Sequence, residues 1–331
     1  MPNFQDNLDL IVEVLRHNPK QSVNVQGAPG NGKTSLIHAA AKRLEIPDSN
    51  VVIFRPSLHD PVDLVGTPWL IDGSTHWASP AWLNKLREGR WMLGLDELPQ
   101  GVVMMQNALA GLILDRVIGE VTLSPDVYII STGNRTTDKA GANRMVGQLA
   151  NRVLNLDMES SLSGWTEWAL DAGMPIWLIS FLRFRPNLLN DYSPDRFSNP
   201  TERTWEMVGR LPPTLTGSGF FNAVKGLVGE GAAAEVVGFK EIMCKMPNVD
   251  TLLLSPGDAP VPTDPATLYA LSGALAHRAG KDNFDRVTVY ADRMPPEFSV
   301  LLVRDAYKLK PEISGTAAFT KWAMQNSGVL I

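Results

Sequence analysis

The stretch GAPGNGKTS at residues 27–35 decides the reading of this chain. Its first eight residues fit G-x-x-x-x-G-K-[ST] without a mismatch. Glycines in such a loop let successive backbone N–H groups turn inward, forming a concave anion site. A helix starting near Lys33 adds the positive end of its dipole. Lys33 then reaches the β- and γ-phosphates of a nucleoside triphosphate, and the Thr34 hydroxyl is placed for Mg²⁺. The bland alternative is a glycine-rich turn between a strand and a helix. The flanks favour the phosphate site: residues 21–26 (QSVNVQ) alternate like a short strand, and Leu36, Ile37, Ala40, Ala41 and Leu44 line one side of a helix over 34–44. The binding set is therefore Gly27, Ala28, Pro29, Gly30, Asn31, Gly32, Lys33, Thr34 and Ser35.

Downstream, WMLGLDE at residues 91–97 is an apolar strand ending in two carboxylates. Alone, such a pair more often faces solvent. Beside a phosphate loop it has a use: Asp96 holds the Mg²⁺ shell with Thr34, and Glu97 polarises the attacking water as general base.

Further strands are expected at 51–54, 127–132 (VYIIST) and 153–156, and a helix at 7–17 on Leu8, Ile11, Val12 and Leu15. Strands alternating with helices predict a parallel sheet covered on both faces, hence an α/β fold. After about residue 160 the pattern turns helical, with Trp165, Trp168, Ala169, Trp177, Ile179 and Leu182 at helical spacings. Helices are expected over 201–211, 222–242 and 264–279, the last opened by Thr263-Asp264-Pro265. The proline-rich stretch 255–265 reads as a linker or surface loop.

With 331 residues, 44% hydrophobic and 20% charged, the chain has room for one large α/β domain and a smaller one. A net charge of -5 leaves no global electrostatic footprint for nucleic acid. Cys244 is the single cysteine, so no intrachain disulfide forms. The scattered histidines lack ligand spacing, which argues against a metal site built by protein alone. The polar, acidic start and the lack of a long apolar run predict no membrane association and a cytoplasmic protein.

Taken together, GAPGNGKTS at 27–35, HDPVDLVGTPW at 59–69, GLDELPQ at 94–100, STGNR at 131–135, QLANRV at 148–153 and NPTERTWE at 199–206 resemble an AAA+ ATPase of the MoxR-type, dynein-related branch. They also resemble ATPases encoded in phage genomes, which would place the protein in a host cytoplasm. The resemblance implies a P-loop NTPase sheet of order 5-1-4-3-2 over residues 1–158, a helical lid over 159–215 and a C-terminal helical extension over 216–331. It implies ATP with Mg²⁺, since no guanine-reading N-K-x-D motif is present. Asn134 matches sensor 1, orienting the lytic water. Arg152 falls at the position of the arginine finger that enters a neighbour's site; Arg144 competes for that role and Arg135 is a weaker candidate. Arg203 matches sensor 2, the alternative being a helix-surface charge beside Glu206. Residues 59–82 correspond to an inserted hairpin or loop facing a central pore, and 115–123 to a second hairpin-like turn in which Arg116 faces a neighbour. Such modules work as homo-oligomeric rings, commonly hexamers. The implied function is a MoxR-like remodelling chaperone acting on a protein client, in partnership with a separate von Willebrand factor A domain protein. The alternative is a nucleic-acid motor, a helicase or DNA-translocating ring. The acidic charge and the absence of a Lys/Arg cluster in 59–82 weigh against that alternative.

Overall fold

The computed structural model describes residues 2–138, 141, 143, 145–246 and 248–326, without the side chains of Cys244 and Lys245. The chain divides into two compact units: residues 1–161 with 192–195, and residues 162–191 with 196–331. Arg144 lies outside the described residues.

The first unit opens with α1 (Phe4–His17), whose N-terminus is closed by a capping box between Asn3 and Asp6. Then follow β1 (Val23–Gly27), α2 (Lys33–Arg43), β2 (Val51–Phe54), α3 (Val62–Val65), the hairpin β3 (Thr67–Ile71) and β4 (Ser74–Ala78), and α4 (Ala81–Asn84). Next come β5 (Trp91–Leu95), α5 (Val103–Asp115), the short hairpin β6 (Val117–Ile118) and β7 (Val121–Thr122), β8 (Val127–Gly133), α6 (Gly147–Ala150) and β9 (Leu154–Met158). Five of these strands pair in parallel in the order β2-β5-β8-β1-β9. Counted along the chain, that is 5-1-4-3-2, the order the resemblance implies.

The sheet is apolar on both faces because helices cover both. Along β8 the side chains alternate: Val127 and Ile129 pack with Leu109 and Ile113 of α5, while Tyr128 and Ile130 pack with Ile11 of α1 and Ile37 of α2. β5 divides likewise, Met92 to the α1/α2 side and Leu93 and Leu95 to the α5 side. The continuous apolar run of β8 in the sequence is thus the signature of a strand buried on both faces.

Among its described residues the second unit has helices and no strand: α7 (Leu162–Asp171), α8 (Ile176–Phe184), α9 (Glu202–Gly209), α10 (Gly217–Val228), α11 (Glu230–Lys245), α12 (Val249–Leu254), α13 (Pro265–Arg278), α14 (Phe284–Ala291), α15 (Pro296–Leu309) and α16 (Ala317–Gln325). Phe181, Trp205 and Phe239 centre one core; Leu271, Tyr290, Leu302 and Trp322 centre another. Helix α13 serves both, with Ala270 in the first and Leu268 and Leu271 in the second. None of the helices in the described residues is long and apolar enough to cross a membrane.

One expected helix is two. The periodicity over 222–242 is interrupted at Gly229, whose φ of 86° lies outside the right-handed helical region, so α10 ends there and α11 begins. The start of α13 follows the sequence signal: the Asp264 side chain accepts from the Thr267 amide, and hydrogen bonding to the Thr267 side chain and then to its amide holds the Asp264 carboxyl below the usual range. The proline-rich stretch before it is pinned, since Tyr290 Oη donates to the Pro260 carbonyl at 2.8 Å and Arg293 Nη1 to that of Pro256 at 2.7 Å.

Between α8 and α15, Arg183 and Asp305 form a buried bidentate pair, with Nη2 to Oδ1 at 2.9 Å and Nη1 bonded to Oδ2. Their side chains are only 7% and 3% exposed. Removing one partner strands the other charge in an apolar setting. Asp305→Ala is expected to destabilise this unit by about 3–5 kcal/mol, read as a shift of its urea midpoint. Replacing both residues together by apolar side chains should restore most of that loss.

Candidate functional site

Parallel strands place their carboxyl ends on one edge, and β5, β8 and β1 are neighbours in the sheet. Gly27 ends β1, Asp96 and Glu97 follow β5, and Asn134 follows β8. The fold therefore brings the glycine-rich loop, the acidic pair and the strand-end amide to one edge, where α/β sheets bind ligands.

The loop has the conformation its glycines allow, with Gly30 and Gly32 at φ 78° and 92° and α2 starting at Lys33. Gly27 is needed for a different reason. A Cβ there would lie 2.5 Å from both the Met158 carbonyl oxygen and Asn31 Nδ2, which itself donates to that carbonyl at 3.1 Å. The loop is thus fastened to the end of β9. Lys33 Nζ donates to the carbonyls of Gly27 (2.8 Å) and Ala28 (2.6 Å) and to Asn31 Oδ1 (3.0 Å). The ammonium is held in the loop by its own oxygens. Ala28, Pro29, Gly30 and Thr34 are half-buried, whereas Ser35 is exposed on α2.

Asp96 is 5% exposed. The β5–β8 register pairs Leu95 with Ser131, which sets Asp96 beside Thr132. Thr132 Oγ1 donates to Asp96 Oδ1 at 2.5 Å. Thr34 Oγ1 lies 3.2 and 3.1 Å from Oδ1 and Oδ2, and Arg55 Nε donates to Oδ2 at 3.3 Å. The hydroxyl and carboxylate expected to share a Mg²⁺ shell are side by side. This donor set, one hydroxyl and one buried carboxylate next to a glycine-rich loop, suits a hard cation that keeps several waters.

Glu97 is exposed and sits at φ 60°, a left-handed conformation that residues other than glycine seldom adopt. Such strain concentrates at functional positions. Its carboxylate accepts from Ser57 Oγ at 3.0 Å, and its amide donates to Thr132 Oγ1 at 3.4 Å.

The arginines separate clearly. Arg135 is engaged within its own unit, donating to Glu159 Oε1 at 2.6 Å and to the Met158 carbonyl at 3.2 Å. Arg152, just after α6, is exposed and has no side-chain hydrogen bond or ion pair among the described residues. Arg203 is exposed at the second position of α9 in the helical unit; Glu206 pairs with Arg210 at 2.9 Å. Arg116 corrects an expectation. Its guanidinium turns inward to the carbonyls of Val127 (2.7 Å) and Lys20 (2.6 Å), and burial lowers its pKa to about 10. It is committed to holding the end of α5.

Residues 59–82 contain the expected hairpin, with Trp69 64% and Leu70 75% exposed on β3. Trp82 is a core anchor, its ring stacked 4.7 Å from that of Phe54. The hairpin is tied to the turn between β6 and β7, since the Trp77 amide donates to Glu120 Oε1 at 3.2 Å.

Sequence reading missed Arg55, Ser57 and Thr132. The polar pair Ser131-Thr132 that ends the otherwise apolar VYIIST run was a usable signal for Thr132, because buried threonines need a partner. Arg55 and Ser57 follow β2, and only the pairing of β2 with β5 brings them to the acidic pair.

No protein-family model matches the chain, and no curated protein matches it. Among solved structures it is similar to a mutant of RuvB from Thermotoga maritima, at 14% sequence identity and a TM-score of 0.37, over 96% of this chain and 85% of that one.

Proposed function

We propose that this chain is a Mg²⁺-dependent ATPase of the AAA+ ring type, working as a MoxR-like remodelling chaperone on a protein client. The observation that carries the ATPase reading is the approach of Thr34 Oγ1 to the Asp96 carboxylate, 3.1–3.2 Å across a gap of 62 residues, beside a loop with a complete phosphate-binding sequence. The chaperone role rests on the sequence resemblance.

In this reading the amides of residues 28–34 and the Lys33 ammonium hold the triphosphate, Lys33 exchanging carbonyl partners for phosphate oxygens. Asp96 and Thr34 would hold Mg²⁺, which when bound would supply positive charge against the triphosphate, and Thr132 fixes the Asp96 rotamer. Glu97 accepts the proton of the attacking water, Asn134 orients that water, its oxygen bonds to the γ-phosphorus as the bond from that phosphorus to the bridging oxygen breaks, and ADP and inorganic phosphate are released. Arg152 of a neighbouring copy completes the site, and Arg203 reports on the nucleotide from the lid. The domains follow as a nucleotide-binding domain over 1–158, a lid over 159–215 and an extension over 216–331.

Turnover per protomer is expected to rise with protein concentration, because a site without its neighbour's arginine lacks about 10³–10⁵ in rate. Activity that stays constant down to the monomer would remove the ring. DNA-stimulated turnover with salt-sensitive DNA binding would reassign the protein to the nucleic-acid motors.

A further inference from the structure

Asp96 is a buried carboxylate, and a buried charge without compensation is costly. Its oxygens are served unequally. Oδ1 takes the short bond from Thr132, itself fully buried in β8, together with the longer contact from Thr34. Oδ2 is met by the Thr34 hydroxyl at 3.1 Å and by Arg55 Nε at 3.3 Å. Arg55 comes from the segment just past β2 and remains 48% exposed, against 7% for the Asp96 side chain. It touches the carboxylate through Nε alone, without the two-pronged geometry of Arg183 with Asp305. A monodentate, half-solvated guanidinium on a buried carboxylate can leave into water at small cost, whereas Thr132 cannot.

We propose that Arg55 is the resident counter-ion of Asp96, holding its Oδ2 charge in balance until a divalent cation displaces it. The inference rests on the triphosphate reading of the same site. Two cations compete for one carboxylate oxygen, so the guanidinium weakens metal binding while keeping the Asp96 carboxylate ordered when the metal is gone. Thr34 stays as a metal partner by turning its hydroxyl, and Arg55 moves outward to solvent. The pair is partly exposed, so its strength must fall as salt screens it.

The test is a titration of Mn²⁺ into full-length protein saturated with a non-hydrolysable ATP analogue, bound Mn²⁺ being read by electron paramagnetic resonance. Arg55→Met is expected to lower the half-saturating Mn²⁺ concentration by about threefold to tenfold at low salt. Arg55→Lys, which keeps a cation, should stay within about twofold of the parent. The gap between parent and Arg55→Met should narrow as KCl is added. Fluorescent-analogue binding without metal, which Lys33→Ala should abolish, separates the two levels. Analogue bound normally with Mn²⁺ affinity unchanged or weakened in Arg55→Met overturns the counter-ion role and leaves the ATP site standing. No analogue binding by the parent protein overturns both. A thermal melt of Arg55→Met matching the parent excludes a folding defect; if that variant unfolds, the Arg55→Gln protein takes its place with the same expected shift.

Discussion

Glu97→Gln should retain ATP binding and lose about 10²–10⁴ in turnover, the usual worth of a positioned general base. The substitution keeps size and shape, so the Ser57 contact and the φ of 60° at this position can persist while the proton acceptor is removed. Asp96 keeps its hydroxyl partners in that variant, so the metal shell is untouched. A nucleotide-binding isotherm alongside a phosphate-release assay reads the two quantities separately. Undiminished hydrolysis removes Glu97 from the chemistry; lost binding makes it a structural residue of the strained turn after β5.

Arg152→Ala carries the other large effect, about 10³–10⁵ in turnover, with nucleotide affinity little changed. The residue is exposed and uncommitted among the described residues of its own chain, the condition required of a side chain that acts on a neighbour. Arg135 does not meet that condition, because Glu159 and Met158 already hold it. Mixing distinguishes action in trans from action in cis. Arg152→Ala has an intact phosphate loop, and Lys33→Ala has an intact arginine. A mixture of the two inactive proteins should regain activity if Arg152 serves the adjoining site, and should stay inactive if it serves its own.

Much of the first unit was legible because its signals are local. A strand, a glycine-rich turn and a helix are contiguous in QSVNVQGAPGNGKTS, and β2 and β5 fall at the residues where apolar runs meet Asn50, Pro56 and Asp96. The sheet order came through the resemblance; pairing between strands separated by helices has no local signature. Arg55 and Ser57 were invisible for the same reason, since each reaches Asp96 or Glu97 only through lateral pairing of strands. The helical unit was legible in kind and less so in its joints. Residues 222–242 keep an apolar period across Gly229, and only the backbone there divides α10 from α11. Arg116 shows the converse error: a charged residue in a turn reads as surface, yet three backbone carbonyls (Val127, Lys20 and Pro19) take its guanidinium inward.

Equilibrium binding of a fluorescent ATP analogue with Mg²⁺, compared between the parent protein and Lys33→Ala, tests the central claim most directly. The ammonium that now rests on the carbonyls of Gly27 and Ala28 is expected to turn to the phosphates, so the parent should bind and the variant should lose about 100-fold or more in affinity. Equal affinity in the two proteins, or none in the parent, contradicts a triphosphate site at this loop.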